Sequence, residues 1–330
     1  MDRPALLIDG LQYSKWSREI FEQMRTGGVD CVHVTIVYWE TTIETIHNIV
    51  EWNKLFQFHR DLIMPVHFAQ DVLKARETGK TGIVFGFQNC SPIDNDIGLI
   101  GLFQQLGVRF MQLSYNNQSP LATGCYESTD PGITRFGKQA ISEMNRVGMV
   151  VDMSHSSERS TLDAIGISRR PIAITHANPE TFVPAIRNKS DTVLRALGDS
   201  GGMLGFSAYP FHLKDGPRCS LKDFCAMVAE TAGIMGIDHI GLGTDLCQNQ
   251  PTSVLTWMRN GRWSREADFG EGSADNSDWP AQPEWFENNL HFQRIREGLA
   301  GQGCSSADID KIMGGNWFRF FKQSFMPEAF

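Results

Sequence analysis

A chain of 330 residues, 41% of them apolar, is long enough to bury a large core and short enough for one barrel domain with insertions. Its formal net charge of −8 excludes the basic footprint that a nucleic acid or an anionic membrane surface demands. The opening Met1-Asp2-Arg3-Pro4-Ala5-Leu6-Leu7-Ile8-Asp9-Gly10 has no basic head before a long apolar segment, and no run reaches spanning length, so a cytoplasmic chain without membrane contact is expected.

In chain order, short apolar runs alternate with helical patterns. Strands are predicted at about 5–10 and 31–37; the connection from Trp39 to Lys80 exceeds one helix and is expected to hold two, over 42–60 and 69–78. Further strands follow at about 81–87, 108–114, 149–154, 171–175, 201–207 and 239–244, with helices between them such as 136–147, 157–165 and 221–235. Eight strands alternating with helices predict an α/β fold, a (β/α)8 TIM barrel, as one domain over 1–330. A long loop is expected after the eighth strand, about 246–283. Its polar, tryptophan-containing part, Gln248 to Pro283, includes Gly270-Glu271-Gly272-Ser273-Ala274-Asp275-Asn276-Ser277-Asp278. Such loops are lids, subunit contacts or disorder. Helices finish the chain, Gly314-Gly315-Asn316-Trp317 opening the last. The seven cysteines (Cys31, Cys90, Cys125, Cys219, Cys225, Cys247, Cys304) are scattered without Cys-x-x-Cys spacing, which fits reduced thiols.

In a parallel barrel the carboxyl ends of the strands line the mouth, where ligands and metals collect. The fifth strand ends in Val151-Asp152-Met153-Ser154-His155 and the sixth in Ile174-Thr175-His176, and two imidazoles on one rim can share a metal ion. The eighth gives Gly241-Leu242-Gly243-Thr244-Asp245, where alternation puts both glycines on the side of Asp245 and leaves room beside its carboxylate. Taken singly, a strand-end histidine is more often structural and a strand-end aspartate more often a helix cap; convergence of three such residues favours a site. His33, His47, His59, His67, His212, His239 and His291 lack such company and read as structural. In Ile186-Arg187-Asn188-Lys189-Ser190-Asp191, Arg187 alone reads as a solvated loop charge and Ser190 as a helix cap, although a guanidinium fixed there suits a substrate carboxylate.

These segments, with Arg187-Asn188 and the late Gly314-Gly315-Asn316-Trp317, together resemble the membrane (renal) dipeptidase family, zinc peptidases of the amidohydrolase-like barrels, in order and spacing over nearly the whole chain. The family carries a binuclear zinc site on a (β/α)8 barrel and hydrolyses dipeptides, including ones with a D-residue second. The resemblance implies that His155 and His176 bind the second metal. It makes Arg187 the clamp for a terminal carboxylate, and Asp245 the group handling the protons of the attacking water and leaving amine.

Three departures stand against that pattern. The family's His-x-Asp after Asp-Gly is here Leu11-Gln12-Tyr13, removing both private ligands of the first metal. Its bridging Glu falls on Gln88, whose neutral amide offers one weak oxygen. Tyr115 stands where a substrate-contacting His is usual, and a phenol can still donate to an oxyanion. The expectation is therefore one divalent metal, zinc first, on His155 and His176 with Gln88 or Asp245 and water, and no second metal. Glu40 is a conceivable replacement carboxylate, but reads better as a helix-start acid. The expected function is a divergent hydrolase of a small carboxylate-bearing dipeptide or amide, with Asp245 and Tyr115 catalytic and Arg187 and Tyr115 contacting substrate. The expected partner is that small molecule; a homodimer is left open. The alternatives are a non-peptidase enzyme on the same barrel, using lyase or single-redox-metal chemistry, and a catalytically silent binding protein.

Overall fold

The computed structural model describes residues 5–266, 270, 272–275 and 277–327. The opening residues 1–4, and Glu271 and Asn276 of the glycine-rich stretch, lie outside the described residues. The strands, in chain order, are β1 (Ile8–Gln12), β2 (Cys31–Val37), β3 (Ile63–Pro65), β4 (Thr81–Phe87), β5 (Val108–Gln112), β6 (Val150–Asp152), β7 (Ala173–Ala177), β8 (Met203–Phe206) and β9 (Ile240–Leu242). Every pairing among them is parallel, and β1 pairs with both β2 and β9 while β2 pairs with β4. Ladders from β4 through β9 complete the ring. This is a closed (β/α)8 barrel, as expected from the alternation of apolar runs and helices.

All eight barrel strands fall where apolar runs predicted them, because strands buried on both faces need apolar residues at successive positions. The additional β3 lies in the long second connection and pairs with the start of β4, Ile63 opposite Thr81. The two helices expected there are Thr42–Phe58 and Ala69–Glu77. Thr41 and Glu44 form a reciprocal capping box at the first, Thr41 N donating to Glu44 Oε2 at 2.9 Å. Helix Arg135–Val147 starts on Thr134 and stops at Gly148, whose φ of 77° takes the left-handed conformation that ends a helix.

Outward strand residues and the inner helix faces share one apolar layer, including Val34, Ile83, Leu204 and Leu242. A second cluster lies inside the end of the barrel where strands begin. Ile8, Cys31, Phe110, Val150, Ala173 and Met203 there meet Trp317, Phe320, Phe321 and Phe325 of helix Asn316–Ser324 and its C-terminal edge. Trp317 is fully buried and its Nε1 donates to Leu242 O at 2.7 Å. The final helix thus plugs one end of the barrel and leaves the other for chemistry. The stretch expected to be a loop after the eighth barrel strand contains helix Thr252–Asn260, whose Leu255 and Met258 are buried. Among the described residues, no helix is long and apolar enough to cross a membrane. Among the described residues, no two cysteines are joined by a disulfide.

Candidate active site

The strand ends bring most of the expected residues to one rim. Tyr13, Gln88, Tyr115, Asn116, His155, Arg187, His212 and Asp245 line a common cavity, together with Leu255, Met258 and Arg259. The free space among these side chains is about 60 Å³.

His176 lies within β7 and His155 three residues beyond β6; their Nε2 atoms are 3.0 Å apart and both rings are buried. His155 Nδ1 lies 2.6 Å from Asn116 Oδ1, and its ring stacks on Tyr115 at 4.1 Å between centroids. His176 Nδ1 lies 2.9 Å from Thr175 Oγ1. Burial, reinforced by the Arg187 guanidinium, holds both imidazoles well below the usual histidine range, so both are neutral at pH 7.

Arg187 is no solvated charge: it is 2% exposed, and its terminal nitrogens donate to Ser154 O and His176 O. It ties together the backbones that carry the two histidines. Lys189, which nothing in the sequence singled out, is also buried and donates to Met153 O at 3.2 Å and Ser156 O at 2.8 Å. Burial, with Arg187 nearby, lowers its pKa to about 8. Ser190 caps helix Asp191–Asp199 as expected, accepting from Val193 N.

Asp245 is not a helix cap. It has a φ of 58°, in the left-handed region, and donates its N–H to Leu11 O at 3.0 Å. The flanking glycines do not leave room beside it. A Cβ on Gly243 would lie 1.7 Å from Thr175 O, and one on Gly241 would lie 2.7 Å from Trp317 Nε1. They permit close backbone and side-chain approach instead.

Gln88 lines the cavity with its Nε2 donating to Thr35 Oγ1 at 2.7 Å. Leu11, Tyr13, Tyr38, Tyr115 and Met258 form a buried cluster, with ring centroids 6.2 Å apart for Tyr13 and Tyr38 and 6.0 Å for Tyr38 and Tyr115. Burial raises the pKa of all three phenols, so they are protonated donors. Glu40 is committed elsewhere, accepting from Trp39 N at 3.0 Å and Trp257 Nε1 at 2.9 Å. It faces a neighbouring groove. His212, read from sequence as structural, lines the cavity while its Nδ1 meets Ser207 Oγ at 3.0 Å. His33 is structural, its Nδ1 held 2.6 Å from Gly10 O inside the barrel.

Among the described residues, no three His, Cys, Asp or Glu side chains cluster as a metal site. A two-metal set therefore does not fit: Leu11 and the Tyr13 phenol offer nothing equivalent to an imidazole and a carboxylate. Two neutral imidazoles with converging Nε2 atoms do fit a single divalent ion, with the Gln88 amide as a neutral neighbour. Sequence reasoning missed Asn116, Thr175 and Lys189. The one available signal was Asp152, a carboxylate inside an apolar strand.

Comparison with known proteins agrees with this fold. Residues 16–254 match the family described as membrane dipeptidase, peptidase family M19. A dipeptidase of Claviceps purpurea is 26% identical over 85% of this chain, and an uncharacterized dipeptidase of Schizosaccharomyces pombe 30% over 66%. The matched regions span 60% and 55% of those two relatives' own lengths. Among solved structures, an amidohydrolase of Pseudomonas aeruginosa superimposes with a TM-score of 0.92 at 34% identity, covering 97% of both chains. A metallopeptidase of Rhodobacter sphaeroides shares the fold, with a TM-score of 0.81 at 15% identity over 98% of this chain and 100% of the other. The family match covers the strands that supply the rim, from the second barrel strand to the eighth, and this chain belongs to the membrane dipeptidase family.

Proposed function

We propose that this protein hydrolyses a small carboxylate-bearing dipeptide or amide with one divalent ion, zinc being the expected metal, held by His155 and His176 with Gln88 as a weak third donor. The observation that carries the reading is the 3.0 Å convergence of two buried imidazole nitrogens on a rim shared with Asp245, Tyr115 and Arg187. When bound, such an ion polarises a carbonyl and acidifies water. The chain's own groups do the rest. Arg187 keeps donor capacity beyond its two backbone contacts and anchors the substrate carboxylate. Asp245 takes a proton from the attacking water and returns it to the leaving amine nitrogen. The Tyr115 phenol donates to the oxygen that gains negative charge.

A free space of about 60 Å³ is far below that of a pocket holding a small organic ligand, ~300 Å³ or more. Substrate entry therefore requires some of the lining side chains to give way. The names of the relatives support a dipeptidase or amidohydrolase, while the uncharged wall of Leu11, Tyr13 and Tyr38 favours, as second reading, a non-peptidase reaction on the same barrel. The acidic chain, and cysteines that form no disulfide among the described residues, favour a small-molecule partner and a reducing, cytoplasmic location.

The test is metal analysis of purified protein, then a dipeptide and amide screen with and without added zinc. One ion per chain and zinc-dependent hydrolysis abolished by His155→Ala and by Asp245→Asn are expected. Full activity in the metal-free His155→Ala/His176→Ala variant would refute the reading, and non-hydrolytic products would favour the second.

A further inference from the structure

Hydrogen-bond bookkeeping around the two histidines leads beyond the identity of the ligands. Asn116 Oδ1 sits 2.6 Å from His155 Nδ1 and also faces Cys125 Sγ at 3.6 Å. An amide oxygen only accepts, so His155 Nδ1 must carry the proton and its Nε2 the lone pair. On the other ring, His176 Nδ1 faces Thr175 Oγ1, whose single hydroxyl proton has a stronger acceptor: Asp152 Oδ2 at 2.6 Å, the short separation of a hydroxyl bonded to a carboxylate. Thr175 Oγ1 can therefore only accept from His176 Nδ1, which leaves the lone pair on Nε2 here too.

Asp152 is itself held as an acceptor. Its Oδ1 receives Ser154 N at 3.0 Å, Ser154 Oγ at 2.6 Å and Thr175 N at 3.2 Å, and its Oδ2 receives Gln112 Nε2 at 3.1 Å. The Ser154 hydroxyl proton is thereby also committed, so neither hydroxyl can release Thr175 to donate toward the ring. Both Nε2 lone pairs then face each other across 3.0 Å with no proton between them. Two acceptors at that separation repel unless a cation joins them.

We propose that Asn116 and the Asp152–Thr175 pair are positioning residues that lock both histidines with the proton on Nδ1, so that the two Nε2 lone pairs form a preset receptor for one divalent cation. This deepens the one-ion reading above and rests on it for its purpose, but the tautomers can be read without any ion. A ring whose proton is already placed on Nδ1 needs no rearrangement to bind metal through Nε2, and partners of this kind carry about 10–100-fold in metal affinity when removed.

The experiment uses the full chain labelled with ¹⁵N-histidine and stripped of metal, with long-range ¹H–¹⁵N spectra assigned by His155→Gln and His176→Gln. A protonated Nδ1 and bare Nε2 on both rings is expected; a stable Nε2–H on either would overturn the inference. Zinc affinity, measured by competition with a chromophoric chelator, is expected to fall about 10–100-fold in Thr175→Val and in Asn116→Leu and to be largely restored in Thr175→Ser and Asn116→Asp. Thr175→Val binding zinc like the parent would also overturn it. A protein with both tautomers in place that hydrolyses nothing refutes only the hydrolase reading, and a working hydrolase with an Nε2–H refutes only this one.

Discussion

Replacing Gly243 by alanine puts the close approach between β9 and β7 to a direct test. The new Cβ would lie 1.7 Å from Thr175 O, against an ordinary contact of 3.4 Å or more, so the carbonyl or the alanine must retreat by about 1.7 Å. Neither can do so cheaply. A Cβ on Gly205 of β8 would likewise come within 2.0 Å of Thr175 O, so three backbones meet at this point of a closed ring. Overpacking typically costs ~1–3 kcal/mol, and with backbone rather than a flexible side chain in the way the upper end, about 3 kcal/mol, is expected. For a chain of 330 residues that corresponds to a fall in Tm of about 4 °C. Displacing Thr175 also disturbs the hydroxyl beside His176, so zinc affinity should fall with stability.

The control is Gly166→Ala on the exposed side of helix Glu158–Ile167, where an added Cβ meets nothing within 4 Å. It should gain about 0.5–1 kcal/mol. Scanning calorimetry and urea unfolding followed by tryptophan fluorescence measure both, and chelator competition measures zinc. Gly243→Ala melting within about 1 °C of the parent, with unchanged zinc affinity, would refute the reasoning.

Asp9 supplies a pH dependence. Burial raises its pKa from 3.8 to about 6, against the lowering effect of donors from Thr244 and Gln12. A carboxyl raised in the folded state favours folding fully below pH 3.8 and loses that contribution as pH rises through about 6. The shift corresponds to the order of 3 kcal/mol. Relative to Asp9→Asn, which cannot titrate there, the parent should lose about that much stability between pH 4 and 7 in urea titrations, and a flat difference would count against it. In Arg187→Lys, a point charge replaces the fork that reaches Ser154 O and His176 O, and unfolding free energy should fall by about 1.5–3 kcal/mol. If the zinc-dependent activity exists, KM should rise for dipeptides with a free carboxylate and not for their amides. An equal rise for both would leave Arg187 a structural tie only.

The barrel was legible because each of its strands is buried on both faces and so reads as an apolar run, but the limits of those runs were not. The first strand, predicted over 5–10, is Ile8–Gln12, since the chain pairs where it meets β2 and not where hydrophobicity starts. β3 was invisible at three residues ending in proline. Helix Thr252–Asn260 hid in a polar stretch because its apolar residues line two cavities, Leu255 and Met258 one and Val254 and Trp257 the other, rather than a long helix-to-sheet face. The histidine pair was legible from strand ends alone. Arg187 taken alone reads as solvated, and only the family resemblance makes it a clamp; it lies buried because its guanidinium finds backbone carbonyls from two other segments, a contact separated by 33 residues in one case. Asn116 and Thr175 carry no charge; only the folded arrangement shows which atoms they face.

The ties made by Arg187 and Lys189 divide the mouth into unequal jaws. On one side, two charged side chains are riveted to the backbone around His155 and His176. On the other, helix Thr252–Asn260 is held across the mouth by side-chain contacts such as Trp39 Nε1 to Met258 O at 3.0 Å and Trp257 Nε1 to Glu40 Oε1 at 2.9 Å. Sequence change in that second jaw can reshape what enters without disturbing the imidazoles. Relatives with unlike substrates are therefore expected to differ most in the stretch after β9, and to exchange specificity when that stretch alone is exchanged.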